Sequence, residues 1–445
     1  MPPVKPYAPP IFLYQFIRNP LRCLPQSVYE EPILPYRIGN LRIVWVTDPG
    51  LTETVLLGAN ATFPKPPLEQ RVFSEPLGRS ILTSQGDDWR WQRGAVSGLF
   101  RSEEILNYVP DMTRAAENLL LRWRTSPASA PRAIDTDLTQ ATYEAISDSL
   151  FGRRALPEAT VIQEAVKVYL NATNWEIAAT LAGMPVWGWH PGKGRMQRAA
   201  KDMRSAIERL IDRWRREGDP HGNHLLGRLL AAKEPGCEEG ISSERVLNNL
   251  LTFLNAGHET TAKALIWTLY ILAQEPDWQE RLREEVANAV GRGPIGGNHI
   301  GSLDLTRQVF EEAMRLFAPA PVLTRLASEE CDLGGVRLDA GTIIFIPIWA
   351  IHRHRRLWTD PEHFHPERFA PDARKEIRRT QYMPFGFGPR ICIGSTFSRV
   401  EGVAMLATLL RSAKFDWPGG PQPEPLGRVT LWPRGGVKLK VTLLD

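Results

Sequence analysis

Apolar residues recur three or four positions apart through most of the chain, with charged and polar residues between them, which is typical of amphipathic helices. Residues 242–274 are apolar on most sides, so we expect a long helix there that is buried in the core. The residues after Cys392 also turn to helical spacing from Ser395 onward. Further helices are predicted over residues 102–124, 135–151, 158–182, 194–217, 276–290 and 303–317.

Strand patterns are short and lie toward the two ends of the chain. Residues 36–57 predict a β-hairpin and then a helix, with Asp48-Pro49-Gly50 as turn and cap. The other predicted strands run from Cys331 to Leu338, from Thr342 to Ile348, and as a C-terminal hairpin from Arg428 to Leu444 with its turn at 433–436.

This order predicts a mainly α protein with a small β subdomain. No internal repeat is visible, and the Pro/Gly-rich breaks at 292–297 and 418–425 suit surface loops better than domain linkers. We therefore expect a single domain over residues 1–445, with β-rich parts at about 30–60 and 320–350.

Composition excludes several classes of protein. The 54 basic and 50 acidic residues leave a formal charge of +4, which is too balanced for a nucleic-acid-binding protein. The four cysteines are scattered and form no CxxC pair, so neither a zinc site nor a disulfide framework is indicated. No run is long enough to span a bilayer, and the proline-broken N-terminus does not have the pattern of a signal peptide. We expect a cytoplasmic protein in a reducing compartment.

The most informative residue is Cys392, which lies in the loop FGFGPRICIG at residues 385–394. Gly388 permits a tight turn, and Gly394 permits a flat group to approach the main chain closely. The sulfur lies at the start of a helix, where the N–H groups and the helix dipole favour a thiolate. A lone thiolate in apolar surroundings suits haem iron, and Arg390 could pair with a haem propionate. The plainer alternative is a buried cysteine in an ordinary loop.

The loop resembles the haem-binding signature of the cytochromes P-450, the haem-thiolate monooxygenases, at Phe385, Gly388, Arg390, Cys392 and Gly394. The resemblance extends over nearly the whole chain and points to a soluble, bacterial-type member. It implies the cytochrome P-450 fold, with haem b between the long central helix and the cysteine-loop helix, and with Cys392 as the axial iron ligand. Phe385 and Gly394 would then lie against the cofactor.

The long helix contains an unusual polar cluster, Ala256-Gly257-His258-Glu259-Thr260-Thr261. Threonine hydroxyls can bond back to carbonyls one turn earlier and bend a helix, and such a distortion would open a groove for a diatomic molecule. The cluster resembles the oxygen-binding motif of the family. The resemblance implies that Ala256 lies against the haem, that Thr260 donates a hydrogen bond to dioxygen and that Glu259 relays protons. A kink without any chemistry is the alternative.

Two further groups of residues match the family. Glu312 and Arg315, three apart on one helical face, resemble its Glu-x-x-Arg pair, which joins an arginine matched here by Arg368. We assign this network to folding. The resemblance also implies that the propionate contacts are Trp89, Arg93, Arg325 and Arg390.

Substrate contacts follow only by analogy, since apolar residues more often belong to the core. The candidates are Phe73, Leu77, Phe253, Val322, Leu323 and Leu431.

Nothing in the chain resembles a flavin or iron–sulfur segment, so the resemblance implies a separate ferredoxin or flavodoxin with its reductase. The basic stretch 352–356, with Lys375, Arg378 and Arg379, could dock such an acidic donor, or it could be a solvated loop.

The resulting prediction is a monooxygenase that activates dioxygen and inserts one oxygen atom into a small apolar organic molecule. A peroxide-driven relative and a non-catalytic haem sensor are the alternatives.

Overall fold

The computed structural model describes residues 7–58, 62–126, 131–152, 158–217, 225–231 and 241–444. Cys237 lies outside these residues. The helices are α1 (Pro9–Arg18), α2 (Pro49–Leu57), α3 (Pro67–Leu77), α4 (Gly86–Ser97), α5 (Ser102–Leu106), α6 (Val109–Thr125), α7 (Ile134–Phe151), α8 (Ala159–Leu181), α9 (Lys193–Glu217), α10 (Leu225–Leu230), α11 (Ser243–Leu272), α12 (Pro276–Val290), α13 (Asp304–Leu316), α14 (Ile348–Ile351), α15 (Ala373–Glu376) and α16 (Ser395–Ser412). Short 3-10 turns cover Pro20–Cys23, Gln26–Tyr29, Gly98–Phe100, Gly297–Ser302 and Pro366–Phe369.

The strands are β1 (Ile33–Ile38), β2 (Leu41–Val46), β3 (Arg132–Ala133), β4 (Leu323–Leu326), β5 (Cys331–Leu333), β6 (Val336–Leu338), β7 (Ile343–Ile346), β8 (Ala413–Asp416), β9 (Pro425–Gly427), β10 (Leu431–Pro433) and β11 (Lys438–Leu443). The largest sheet has the order β1-β2-β7-β4, in which β2 and β7 are parallel and join the N-terminal hairpin to a segment three hundred residues later. The remaining pairs are β9 with β10, β5 with β6, and β11 between β3 and β8.

Most predicted helices agree with the structure to within one or two residues, but the helix predicted over 102–124 is wrong. It is two helices, α5 and α6, separated at Asn107 and Tyr108. Pro110 explains the break, because it has no N–H to donate to the carbonyl of Leu106 four residues earlier. The same proline suits the first turn of α6, where no intrahelical donor is needed.

Two strand predictions are also wrong. Residues 331–338 form a two-stranded hairpin, because Gly334 and Gly335 adopt positive φ angles of 63° and 81° and reverse the chain. The predicted C-terminal hairpin does not form. Its first half, β10, pairs with β9, and its second half, β11, pairs with β8 and β3.

The helix α11 is buried along most of its length, as its apolar pattern predicts, and it packs against α7, α13 and α16. Two glycines permit close packing here. A Cβ on Gly257 would lie 3.2 Å from Ile146 of α7, and a Cβ on Gly402 of α16 would lie 2.2 Å from the ring of Phe310 of α13. The first contact holds α11 close to α7 and the second holds α16 close to α13, and since α11 also packs against both α13 and α16, the loop before α16 is held near α11.

Among the described residues, no helix combines the length and the apolar character that are needed to cross a membrane.

Candidate cofactor and active site

A large internal cavity of about 570 Å³ lies between α11 and the loop that leads into α16. Its wall is mostly apolar, and it brings together residues that are far apart in the chain. The predicted cofactor and catalytic residues that line it are Trp89, Arg93, Ala256, Glu259, Thr260, Arg325, Phe385, Arg390, Cys392 and Gly394.

The loop before α16 presents one thiol to this cavity. The N–H of Cys392 donates to the carbonyl of Phe385 at 2.9 Å, which closes the loop on itself. Gly388 has a φ of 76°, and a Cβ there would lie 2.8 Å from the carbonyl oxygen of Leu56. A glycine is therefore needed for both backbone conformation and space. The Cys392 side chain is accessible from the cavity, although protein surrounds the loop.

Burial raises the pKa of the Cys392 thiol, against opposing effects of the Gly394 N–H, Arg93 and Arg399. The helix terminus and the cations therefore do not by themselves produce the thiolate that the sequence pattern suggests. A coordinated metal ion would reverse this balance, because a coordinating thiol is deprotonated outright.

Two arginines at the cavity wall have guanidinium nitrogens without partners. Arg325 is 3% exposed; its Nε has no hydrogen-bond acceptor among the described residues, and its Nη1 donates to the carbonyl of Thr324 at 2.7 Å. Arg390 lies 4.0 Å over the Trp89 ring and donates from Nη1 to the carbonyl of Ser84, and its Nε also has no partner. Burial lowers the pKa of both arginines, to about 10 for Arg390.

Arg93 and Glu69 complete this side of the cavity. Arg93 donates from Nη1 to the carbonyl of Ile391 at 2.8 Å, so it holds the cysteine loop directly. The nearby carboxylate of Glu69 is already paired with Lys65 at 2.8 Å. Within the described part of the chain, no carboxylate lies within ion-pair distance of Arg325 or Arg390. A cofactor with two carboxylates fits these two cations.

The donor set also restricts the kind of metal group. No cluster of three or more His, Cys, Asp or Glu side chains in the described ranges could hold a metal ion. A metal at Cys392 must therefore bring most of its ligands with it, as iron does in haem. A Cβ built on Gly394 would meet only the Cys392 sulfur, at 3.9 Å, so there is open space beside the thiol. The residues present fit a haem group.

The polar cluster of α11 lies across the cavity from this loop. The α-helix runs through residues 256–261 without a break, so no change of helix type marks the distortion that the sequence predicts there. Thr260 donates from Oγ1 to the carbonyl of Ala256 at 2.7 Å, and Thr261 donates to Ser398 of α16 at 3.1 Å. Glu259 is 5% exposed and its Oε1 lies 3.5 Å from Nζ of Lys263.

Comparison with known proteins agrees with this geometry. The family model for Cytochrome P450 matches residues 4–441. The chain belongs to the cytochrome P450 family. It is 31% identical, over 88% of its length and 84% of the relative, to a cyclooctat-9-en-7-ol 5-monooxygenase of Streptomyces melanosporofaciens. It is also 28% identical to an 11-oxo-beta-amyrin 30-oxidase of Glycyrrhiza uralensis, over 90% of the chain and 79% of the relative. A cytokinin hydroxylase of Arabidopsis thaliana is 30% identical over 90% of the chain and 81% of the relative.

This P450 is therefore a haem-containing oxidoreductase, a monooxygenase that uses dioxygen and an organic substrate. The predictions of family, fold class and enzyme class are confirmed. Its mainly helical architecture with small sheets is that of the family.

The three residues of the predicted ion network lie together in the structure. Arg315 and Glu312 are both 0% exposed and make two hydrogen bonds, at 2.7 and 2.8 Å. Arg315 also donates to three backbone carbonyls, and Glu312 accepts the N–H of His365 at 2.9 Å. Arg368 is at 3.5 Å from Glu312 and more exposed. The network joins α13 to residues 352–368, which precede the Cys392 loop (residues 385–394).

Five of the six predicted substrate contacts line the cavity, namely Phe73, Leu77, Phe253, Val322 and Leu323. Leu431 does not line it. It is fully buried, and its backbone is used to accept the Trp267 N–H and to donate to Pro319. The cavity is instead lined by the preceding residues 427–430. The reason is that the Leu431 side chain points into the core at the place where β10 pairs with β9.

Three polar residues near the site are absent from the sequence prediction: Lys263, Thr430 and Glu401. Glu401 of α16 is 0% exposed, and no hydrogen bond of ordinary length from a described residue reaches its carboxylate, although the Thr261 hydroxyl lies near enough to oppose the effect of burial. Burial raises its pKa to about 8. The sequence does contain a signal for two of them, because Lys263 and Glu401 are the single charged residues in the apolar helical segments 260–272 and 400–410. Buried charges of this kind are rare without a function or a partner.

The predicted basic stretch 352–356 is mostly not a surface patch. His352 is fully buried and burial lowers its pKa to about 3; its ring accepts the Met383 N–H at Nε2. Arg353 is 5% exposed and stacks 3.5 Å over Trp349. The exposed members of the stretch, Arg355 and Arg356, are paired with Glu30 and Glu31. Arg378 and Arg379 are exposed, and no carboxylate of the described residues pairs with them.

Proposed function

We propose that this P450 binds haem b through Cys392 and uses dioxygen to insert one oxygen atom into a large, mostly hydrocarbon molecule. The observation that carries the proposal is the cavity itself, with the Cys392 thiol in the loop before α16 and, beside it, two arginines, Arg325 and Arg390, with which no described carboxylate pairs. We further propose that residues 1–445 form one domain, since elements from both ends of the chain line this cavity.

Cys392 would hold the iron, and Arg325 and Arg390 would hold the two propionates, with Trp89 stacked against Arg390. Arg93 supports the loop through the carbonyl of Ile391. When bound, the haem supplies the redox chemistry that activates dioxygen and that cleaves its O–O bond.

Thr260 and Glu259 are proposed as the proton-delivery pair. The Thr260 hydroxyl lies on the cavity wall and can turn from the Ala256 carbonyl to donate a hydrogen bond to dioxygen. The Glu259 carboxylate, which also lies on the cavity wall, can carry a proton toward Oγ1 of Thr260. A peroxide-driven enzyme or a haem sensor has no need of this pair.

The proposed substrate class follows from the cavity wall and from the relatives. Their names denote oxidation of an alcohol, cyclooctat-9-en-7-ol, and of an oxo compound, 11-oxo-β-amyrin. The apolar lining residues Phe73, Leu77 and Phe253 favour a substrate with few polar groups. Spin-state titrations with neutral terpenoid alcohols such as cedrol and sclareol should give tighter binding than dodecanoic acid.

Electrons are proposed to come from a separate ferredoxin or flavodoxin with its reductase. Arg378 and Arg379 are the candidates for a docking contact, because their charge is exposed and not neutralised by a described neighbour.

The deciding experiment is the absorption spectrum of the dithionite-reduced protein with carbon monoxide. Wild type should show the strongly red-shifted Soret band of a thiolate-ligated haem. Cys392→Ser should lose this band, and Cys331→Ser, a half-buried cysteine away from the cavity, should keep it. A Soret band typical of histidine ligation in wild type would contradict the proposal.

A further inference from the structure

Glu259 has a buried cationic partner on its own helix. Lys263 follows it by one turn, and its Nζ lies 3.5 Å from Oε1 of Glu259. The two side chains are only 4% and 6% exposed. Exposed pairs of this type contribute little, but a buried pair is different, because removing either partner leaves a charge without compensation in the core.

The same carboxylate oxygen is also contacted from the bend between β9 and β10. Oγ1 of Thr430 donates to Oε1 of Glu259 at 3.4 Å, and the indole N–H of Trp432 donates to Oγ1 of Thr430 at 2.8 Å. Lys263 completes the group, since its Nζ lies 4.0 Å over the Trp432 ring, within the range of a cation–π interaction.

This group is attached firmly to α11. The indole N–H of Trp267, one turn after Lys263, donates to the carbonyl of Leu431 at 3.2 Å. The Leu431 N–H in turn donates to the carbonyl of Pro319 at 2.9 Å. The position of Thr430 relative to Glu259 is therefore fixed by two hydrogen bonds of the next residue, Leu431, one accepted from the Trp267 indole and one donated to the Pro319 carbonyl.

The side chains of Glu259 and Thr260 contact different partners and do not contact each other through these hydrogen bonds. Successive residues of an α-helix are about 100° apart, and the hydroxyl of Thr260 bonds to Ala256, while Oε1 of Glu259 contacts Lys263 and Thr430. The acid therefore has to change its orientation before it can pass a proton to the alcohol.

We propose that Lys263 is a positioning residue for proton delivery in this P450. Its ammonium group, with the Thr430 hydroxyl, holds the Glu259 carboxylate in a defined resting orientation toward Thr430, from which it turns to Thr260. Arg428 also acts on Glu259 through its charge, but Lys263 is the cation of the described residues that lies within ion-pair distance of the carboxylate, so its loss weakens that orientation. The inference rests on the role of Glu259 proposed above.

The test uses the haem-loaded enzyme with ferredoxin, its reductase and whichever of cedrol and sclareol gives the larger spin-state change. Lys263→Met should reduce the product formed per electron pair about tenfold and raise hydrogen peroxide release accordingly, with a changed solvent isotope effect on kcat. The dissociation constant of the probe should stay within about twofold of wild type, since Lys263 does not line the cavity. Lys263→Arg should restore most of the coupling, because it keeps the cation.

Glu259→Gln and the double variant separate this inference from the function on which it rests. If Lys263 acts through Glu259, the double variant should be no more uncoupled than Glu259→Gln alone. The loss of Tm in the double variant should likewise be smaller than the sum of the two single losses, a readout that does not depend on activity. Thr430→Val provides a milder variant, expected to uncouple partly, should Lys263→Met fold poorly.

Two outcomes would overturn the inference. If Glu259→Gln uncouples the reaction and both Lys263→Met and Thr430→Val remain coupled, Lys263 has no positioning role and the proposed function stands. If Glu259→Gln is itself fully coupled, the proposed role of Glu259 fails and the role of Lys263 fails with it.

Discussion

Thr260 and Thr268 lie on the same helix, α11, and make the same hydrogen bond, each from Oγ1 to the carbonyl four residues earlier at 2.7 Å. They differ in what they face. Thr260 lines the haem cavity, while Thr268 is fully buried in the core and does not reach it. The pair therefore separates the structural effect of a back-bonded threonine from an effect on chemistry.

This difference leads to the first prediction. Thr260→Ala should uncouple oxygen reduction from product formation, with product per electron pair lower by about tenfold or more, because it removes the hydroxyl that we propose donates to dioxygen. Thr268→Ala should remain coupled. Electron consumption, peroxide and product are measured together. Equal coupling in the two variants would assign Thr260 a structural role only.

The buried carboxyl group of Glu401 should make the stability of the folded protein depend on pH. Its pKa is raised to about 8 in the folded protein, against 4.5 for an ordinary glutamate. Below about pH 4.5 both folded and unfolded forms hold the proton, so burial of the neutral group has no pH-dependent cost. As pH rises toward 8 the unfolded chain ionises and the folded one does not, so wild type loses stability relative to Glu401→Gln.

The expected loss is large, because each pH unit between the two pKa values is worth about 1.4 kcal/mol, and the total approaches roughly 5 kcal/mol as an upper value. Thermal unfolding of wild type and Glu401→Gln from about pH 5 to about pH 9 measures it. The gap in Tm should widen up to about pH 8 and then level off. Glu103→Gln, on the exposed side of α5, should show no such trend. A constant gap for Glu401→Gln would exclude a raised pKa.

The ion network predicts unequal contributions from its two arginines. Arg315→Met removes a fully buried cation, leaves Glu312 without its main partner and frees three carbonyls, so the free energy of unfolding should fall by about 3–5 kcal/mol. Arg368→Met removes a longer, more exposed contact and should cost about 1 kcal/mol. Denaturant unfolding of both variants checks this, and similar losses would show that Arg368 shares the network equally.

Binding of the electron donor should depend on Arg378 and Arg379. Replacing both by Gln removes two exposed charges without described partners, so the apparent KM for an acidic ferredoxin at low salt should rise severalfold, roughly fivefold to tenfold. The matched control is Arg355→Gln combined with Glu30→Gln, which removes an existing ion pair and keeps the net charge. If the control raises KM as much as the test variant does, docking at Arg378 and Arg379 is excluded.

Local sequence determines several features of this P450 by itself. Gly386 and Gly388 specify the turn before Cys392, because both have a positive φ that favours glycine, and at Gly388 a Cβ would also meet the Leu56 carbonyl. The helical period of α12 and α16, and the buried character of α11, follow from the spacing of apolar residues. These features depend on neighbours in the chain, so a sequence pattern is sufficient to predict them.

Contacts between distant segments could be decided only by the tertiary structure. The sequence shows Arg353 and Arg355 as equivalent basic residues, but packing on Trp349 buries the first, and Glu30, more than three hundred residues earlier, pairs with the second. Lys263 and Thr430 likewise meet at Glu259 only because β10 is held against α11. The physical reason is that charge pairing and burial depend on distance in space, and residues far apart in sequence carry no local pattern that encodes it.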